Sequence, residues 1–146
     1  MAKVSSKRQS EVNELVSSYC DSFKAPADKL DVIRQGISSH AIIDLLKVTG
    51  ATQTELAHIL SLTEPTLRKY VKDGKNLSPG VSDRIVHLFE LFQKGIDTFG
   101  SLDEFNKWLP CHNIGLNARP VDLLDSITGI NMVIDELRRI DHGILA

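Results

Sequence analysis

The sequence from Gln53 to Tyr70 reads QTELAHILSLTEPTLRKY, and it predicts two short helices joined by a tight turn. Apolar residues share one face of each helix, at spacings of one, three or four residues. These residues are Leu56, Ala57 and Leu60 on the first helix, and Leu67, Tyr70 and Val71 on the second. The two faces must pack together, which is the arrangement of a helix-turn-helix that reads DNA.

The residues between the two helices support this arrangement. Ala57 is small where two steeply crossing helices approach closely, and Leu62 can fill the gap between them. Thr63 is a good N-cap for the second helix, and Pro65 falls in its first turn, where a missing N–H costs little. Ser61 stands where such turns often carry glycine, so a left-handed backbone at Ser61 would be mildly strained.

The remaining residues of the motif form a polar, basic outer face. Base edges are usually read by the N-terminal part of the second helix, while Lys and Arg neutralise phosphates. The candidates for base reading are Thr63, Glu64, Thr66 and Arg68, and those for phosphate contact are Lys69, Lys72 and Lys75. Gln53 and Thr54 begin the first helix, where free N–H groups favour a phosphate oxygen. The alternative is an ordinary helical hairpin whose outer face is only solvated.

Length and composition are those of a globular protein with one domain or two small ones. The chain has 146 residues, of which 42% are hydrophobic and 25% are charged. It contains no apolar run long enough to span a bilayer and no signal-peptide pattern, so we expect a cytoplasmic protein without a membrane partner.

Charge is distributed unevenly along the chain, although the formal net charge is only −2. Residues 63–75 contain four basic and two acidic residues, a net charge of +2. Residues 100–146 contain four basic and seven acidic residues, a net charge of −3. Because so modest a basic patch neutralises few phosphates, useful DNA binding predicts two copies on a paired site, and therefore a dimer or larger assembly.

The rest of the chain also reads as helical, which predicts an all-α fold. The predicted helices before the motif span residues 10–23, 27–35 and 38–50, and that after it begins at Ser78 and Pro79. This long helix carries a wide apolar stripe with Val81, Ile85, Leu88, Phe89 and Phe92, extended by Val86, Leu91 and Ile96. We expect the stripe to form core against the DNA motif, with any exposed part available as a dimer seam.

Shorter elements follow Gly100. Ser101 and Glu104 have the spacing of a capping box and predict a helix that Pro110 terminates. Two further helices are predicted over residues 121–126 and 128–140.

No catalytic or metal-binding constellation is found. Cys20 and Cys111 are far apart and outside any metal-ligand spacing, so we expect two free, buried thiols. Cys111 and His112 are adjacent, which on a helix points them apart. The remaining histidines lack the spacing of metal ligands and are His40, His58, His87 and His142. We therefore predict neither an enzyme nor a bound metal or cofactor.

The C-terminal third carries a recognisable series of short motifs. They are Phe99-Gly100, Trp108-Leu109, Gly115-Leu116, Arg119-Pro120, Leu123-Leu124, Gly129, Leu137-Arg138-Arg139-Ile140 and His142-Gly143. This series resembles the toxin-binding domain of Xre/MbcA/ParS-type antitoxins, and the DNA motif before it is similar to the same family. The similarity runs in order from about Gly36 to Ala146, with Ser126 where family members often have Thr.

The resemblance implies an antitoxin of a type II toxin-antitoxin pair that binds the operator of its own operon. Its C-terminal domain would inhibit a toxin, most often a RES-domain toxin that consumes NAD, by blocking the active-site entrance with the C-terminal end. The residues implied in toxin binding are Trp108, Arg119, Arg138, Arg139, His142, Gly143, Ile144 and Leu145. Structural roles are the alternative for two of them, since Trp108 fits a core position and Arg119 can cap a helix.

These interpretations divide the chain into three segments. Residues 1–35 would form an N-terminal helical extension, 36–98 the helix-turn-helix DNA-binding domain and 99–146 a small helical toxin-binding domain. The expected partners are the cognate toxin and operator DNA, in a homodimer or a toxin-antitoxin hetero-oligomer. The alternative function is a stand-alone helix-turn-helix transcription repressor, which needs only the DNA motif and a dimer interface.

Overall fold

The computed structural model describes residues 6–143, which fold as helices joined by short connections. The helices are α1 (Ser6–Asp21), α2 (Pro26–Gln35), α3 (His40–Thr49), α4 (Gln53–Ile59), α5 (Glu64–Asp73), α6 (Pro79–Phe99), α7 (Leu102–Trp108), a 3-10 helix (Pro120–Leu123) and α8 (Ile127–Asp141). Extended pairing within these residues is limited to two isolated bridges, Ser38 with Asn76 and Asn113 with Ala118. The predicted all-α fold is confirmed.

The long helix α6 forms the centre of the molecule. Its apolar stripe is buried throughout, and α1, α2, α7 and α8 are its main neighbours. The prediction that the stripe forms core against the DNA motif is therefore wrong, because helices from both ends of the chain cover most of the stripe. The same burial leaves no exposed part of the stripe for a dimer seam.

Polar contacts at both ends of α8 hold this helix beside α6. The Arg84 guanidinium donates to the backbone oxygen of Asp125, just before α8, and the Lys94 ammonium contacts the Asp141 carboxylate at its end. The link from Lys94 lowers the pKa of Asp141 below its ordinary value. Arg84, near the start of α6, is joined to the start of α8, and Lys94, farther along α6, is joined to the end of α8. The two helices therefore run in the same direction.

The N-terminal helix α1 belongs to the same core. The Tyr19 ring stacks on Phe89 with a centroid distance of 4.0 Å, and its hydroxyl donates to the buried Asp44 on α3. The pKa of Tyr19 is raised well above its ordinary value, mainly by burial and next by the hydrogen bond to Asp44. Residues 6–21 thus stabilise both α3 and α6.

Local capping explains most helix ends and several corrected boundaries. Gly50 ends α3 in a left-handed conformation, and the Ser78 and Ser101 side chains cap α6 and α7, as predicted. The first helix begins at Ser6 and not at residue 10. At the start of α3, Ser39 is the N-cap residue but makes no side-chain cap, and the Ser38 hydroxyl accepts the His40 N–H at 3.2 Å.

The segment after Pro120 departs from its predicted helix over residues 121–126. It makes only a short 3-10 turn, because Ser126 turns to an extended conformation and accepts the Gly129 N–H at 2.9 Å as the N-cap of α8. That cap starts α8 at Ile127, one residue earlier than predicted.

Both cysteines are free, but only one of them is sheltered. Burial and nearby carboxylates, chiefly that of Glu90, raise the pKa of the Cys20 thiol to about 12. Cys111 follows α7 and is exposed, whereas Cys20 is partly buried, so the expectation of a buried thiol is wrong for Cys111 and only partly met by Cys20. Within residues 6–143, no helix combines the length and apolar character needed to cross a membrane.

We predict that Gly95 on α6 is required for the packing of α7. A Cβ atom at this position would lie 2.4 Å from the Phe105 ring, which is fully buried and cannot retreat. Gly95→Ala should therefore lower the free energy of unfolding by about 1–3 kcal/mol in a urea titration.

Gly80→Ala is the matched control on the same helix, because a Cβ there meets no atom within 4 Å. It should leave stability unchanged or raise it by up to about 1 kcal/mol, since alanine favours the helix. Equal effects of the two substitutions would contradict the proposed packing constraint.

Candidate functional site

The helix-turn-helix forms as the apolar pattern predicts. Leu56, Leu60 and Leu67 are fully buried between α4, α5 and the rest of the core, and Ala57 is buried at 2% exposure. Tyr70 and Val71 are only partly buried at the edge of this contact. Because α4 and α5 pack through their inward faces, their outer faces remain accessible to another molecule.

The turn between the helices uses the backbone geometry that glycine commonly supplies. Ser61 adopts a φ of +56°, in the left-handed region, as considered from the sequence. The Leu62 N–H donates to the Ala57 carbonyl at 2.8 Å, and the Leu62 side chain packs against the core. The contact of Leu62 with the core offsets the mild strain at Ser61.

Threonine caps set the start of both motif helices. The Thr63 hydroxyl accepts the Thr66 N–H at 3.2 Å and donates to the Thr66 hydroxyl at 2.8 Å, which confirms the predicted cap of α5. Thr52 caps α4 by accepting the Glu55 N–H at 3.1 Å. The sequence analysis missed Thr52, although Thr52 and Glu55 have capping-box spacing.

The nine predicted DNA-contacting residues all lie outside the core. Glu64 is partly buried, and the others are exposed: Gln53, Thr54, Thr63, Thr66, Arg68, Lys69, Lys72 and Lys75. Arg68, Lys69 and Lys72 occupy the side of α5 opposite Leu67, which points into the core. Lys75 follows the end of α5 and lines a shallow hollow with Lys69. The motif thus brings the lysines predicted for phosphate contact onto one surface.

Glu64 has partners within the motif. Its carboxylate accepts the Thr54 hydroxyl from the start of α4 and lies 3.8 Å from the Arg68 guanidinium one helical turn along α5. This carboxylate therefore offsets part of the charge of Arg68, and the positive potential of the face depends mainly on the lysines. Base reading by Glu64 and Arg68 stays a prediction.

The residues predicted for toxin binding are spread over several elements. Trp108 is partly buried in an aromatic cluster, with centroid distances of 5.4 Å to Phe99 and 6.0 Å to Phe105. Arg119 precedes the 3-10 helix and donates two hydrogen bonds of 2.9 Å to Asp122, which raises the Arg119 pKa. Trp108 and Arg119 thus have the structural partners that the alternative interpretation expects.

Four of the predicted residues lie at the end of α8, with Arg138 and Arg139 in its last turn and His142 and Gly143 directly after it. Arg138 pairs with exposed Asp135 at 2.9 Å, and His142 Nδ1 lies 2.6 Å from the Arg138 backbone oxygen. Gly143 follows with a φ of +65°. Ile144 and Leu145 lie outside the described residues.

The two neighbouring arginines of α8 have different surroundings. Arg139 pairs at 3.1 Å with Glu136 Oε2, whose side chain is 2% exposed. Within residues 6–143, Glu136 Oε1 has no hydrogen-bond partner, so Arg139 provides the main compensation for a buried negative charge. Arg138 has no comparable structural task, because its ion pair with Asp135 is solvated.

Described residues 6–143 contain no group of three or more His, Cys, Asp or Glu side chains that could hold a metal. Cys111 and His112 lie beyond the end of α7, and the Cys111 thiol contacts the Lys107 carbonyl at 3.3 Å.

The difference between the arginines predicts unequal effects on stability. Arg139→Ala should lower the free energy of unfolding by about 1–2 kcal/mol, because it leaves the Glu136 carboxylate buried and unpaired; partial exposure of Arg139 limits the loss. Arg138→Ala should change it by less than about 0.5 kcal/mol, since its ion pair is solvated. Urea titrations of both variants test this, and equal losses would contradict it.

Comparison with family models gives two matches in the order of the two surfaces. Residues 28–90 match the antitoxin Xre-like helix-turn-helix domain, which includes α4 and α5. Residues 94–143 match the antitoxin Xre/MbcA/ParS C-terminal toxin-binding domain, which includes α7 and α8. Comparison with curated proteins gives no match. Since an antitoxin helix-turn-helix domain and an antitoxin toxin-binding domain follow each other along most of its length, this chain belongs to the Xre/MbcA/ParS-type antitoxins.

Proposed function

We propose that this antitoxin inhibits a co-encoded toxin through its C-terminal part and represses its own operon through α5. The observation that carries the proposal is the succession of the two family matches, each of which contains an exposed surface of the chain. Both activities belong in the cytoplasm, where operator DNA lies. The toxin of this proposal is a RES-domain enzyme that consumes NAD, so the antitoxin itself is an inhibitor and not an enzyme.

The basic outer face of α5 supports operator binding. Arg68, Lys69 and Lys72 point away from the core, where phosphates and the major groove can reach them without any change in the fold. Few phosphates are neutralised by one copy, so the binding form in this proposal is a dimer on a paired operator site. Residues 36–98 serve as the DNA-binding domain and 99–146 as the toxin-binding domain.

The exposed end of α8 supports toxin inhibition. Arg138 has a solvated partner that it can exchange, and its planar guanidinium can make two hydrogen bonds to a carboxylate in a toxin pocket. Beyond Gly143 the sequence ends in Ile144, Leu145 and Ala146, whose apolar side chains can displace water from a cleft. Inhibition in this proposal is the covering of the toxin's active-site entrance by this end.

Removing two positive charges from α5 should weaken operator binding. Arg68→Ala with Lys72→Ala should reduce affinity for the DNA upstream of the coding sequence. Loss of the Lys72 phosphate contact from each of the two copies should also reduce the slope of log K against log salt by about 2. Fluorescence anisotropy at several salt concentrations measures both quantities.

Arg34→Ala with Lys107→Ala is the charge-matched control, because both residues are exposed and lie on α2 and α7. This control should retain the slope of the wild-type chain. A double variant of α5 that binds like the control would refute the assignment of α5 as the DNA-contacting helix.

Removing Gly143 to Ala146 should impair toxin neutralisation without unfolding the chain. These residues follow the end of α8, so operator binding and the urea midpoint should stay close to wild type. Protection of cells that express the co-encoded toxin should be lost in a growth assay.

Deletion of residues 2–5, which is equally short, is the control and should preserve protection. Full protection by the C-terminally shortened chain would refute the role of this end. If the full chain neither copurifies with its genomic neighbour nor restores growth, the stand-alone repressor becomes the better explanation.

A further inference from the structure

One large apolar side chain of the C-terminal part stands almost entirely in water. Ile114 is 92% exposed, whereas the other exposed large apolar side chains among residues 6–143, Leu30 and Met132, are each 44% exposed. Burying an isoleucine side chain is favourable, so this position forgoes a stabilisation that a partner could supply. Single exposed apolar residues are common, and the surroundings of Ile114 must therefore distinguish it.

The loop that carries Ile114 is closed by its own hydrogen bonds. The Asn113 N–H donates to the Ala118 carbonyl at 2.9 Å, and the Asn117 N–H donates to the Ile114 carbonyl at 3.2 Å. Asn113 also accepts the Leu116 N–H on its side-chain oxygen at 2.8 Å. Leu116 packs against the core, so the loop has one apolar side chain inward and one outward. A preformed loop loses little conformational entropy when it binds.

The loop rests on the buried carboxylate of α8. A Cβ atom at Gly115 would lie 2.5 Å from Glu136 Oε2, which shows how closely the loop backbone approaches this side chain. Met132 precedes Glu136 by one helical turn and is also exposed. We call the loop at Ile114 and Gly115, together with Met132 on the helix that supports the loop, the Ile114 patch. Arg139 positions this patch by pairing with Glu136.

Charge restricts the kind of partner that fits the patch. The patch lies in the C-terminal stretch with a net charge of −3, from residue 100 to residue 146. This charge opposes DNA and also opposes a second copy of the same stretch, while it favours a protein surface with basic residues. The patch also falls inside residues 94–143, the match to a toxin-binding domain.

We propose that the Ile114 patch is the docking surface for the co-encoded toxin, which contacts it with an apolar pocket rimmed by basic residues. This inference rests on the proposed function and adds a surface that the C-terminal end does not include. Ile114 enters the pocket as the anchor, Met132 borders it, and the docked toxin then lies where the end of α8 can reach its active site. Affinity comes mainly from the patch, and inhibition from the C-terminal end.

The test compares full-length chains that carry one substitution each. Ile114→Ser should raise the Kd for the purified co-encoded toxin by about tenfold or more in biolayer interferometry, since anchors of this type dominate binding energy. Met132→Gln should raise it by a smaller factor and keeps a good helix former on α8. Leu30→Ser is the matched control, because it removes an exposed apolar side chain from α2, and it should retain wild-type affinity.

The outcomes separate this inference from the proposed function. If wild type binds the toxin and Ile114→Ser binds it as tightly as Leu30→Ser does, the patch is not the docking surface. If Ile114→Ser leaves toxin affinity unchanged but converts a dimer to a monomer in light scattering, a second copy covers the patch and the inference fails. If the wild-type chain binds no toxin at all, the proposed function itself fails. The unfolding midpoint of Ile114→Ser should match that of wild type, since this side chain is 92% exposed.

Discussion

Burial of the apolar stripe of α6 is the constraint on which the rest of the molecule depends. Helices from the N-terminus, α1 and α2, and from the C-terminus, α7 and α8, all cover its apolar surface. Phe89 contacts Tyr19 of α1, while Phe92 packs edge to face against Phe105 of α7 at 5.2 Å. The three predicted segments, 1–35, 36–98 and 99–146, therefore share one hydrophobic core.

The two candidate binding surfaces lie on different elements around this shared core. The basic residues of α5 face away from the core in the middle of the chain, and the Ile114 patch rests on α8. The charges follow the same division, with +2 over residues 63–75 and −3 over residues 100–146. The opposite net charges of these two stretches favour two different partners, an anionic one for α5 and a basic one for the C-terminal part.

The elements that the sequence predicted well are those governed by neighbouring residues. The capping of α5 by Thr63 and the end of α3 at Gly50 depend on contacts within a few residues. Some errors are local, such as the helix predicted over residues 121–126, where the Ser126 cap starts α8 instead. The other errors concern contacts over longer distances. The exposure of Cys111 and the partners of the α6 stripe depend on which other helices arrive at those places, and a periodic pattern records only that a face is apolar. The residues of the helix-turn-helix were recognised from the sequence as one motif, but their contacts with DNA stay predictions.

By itself, the sequence determined the helical class, the helix-turn-helix and the family, because apolar period, cap residues and motif order are properties of neighbouring positions. Only the tertiary structure decided that Arg138 and Arg139 are not equivalent, since the burial of Glu136 results from the packing of α8 against α6 and the loop at Gly115. It likewise decided that Ile114 points into water while Leu116 points inward. Burial depends on every segment that packs nearby, and no local pattern contains that information.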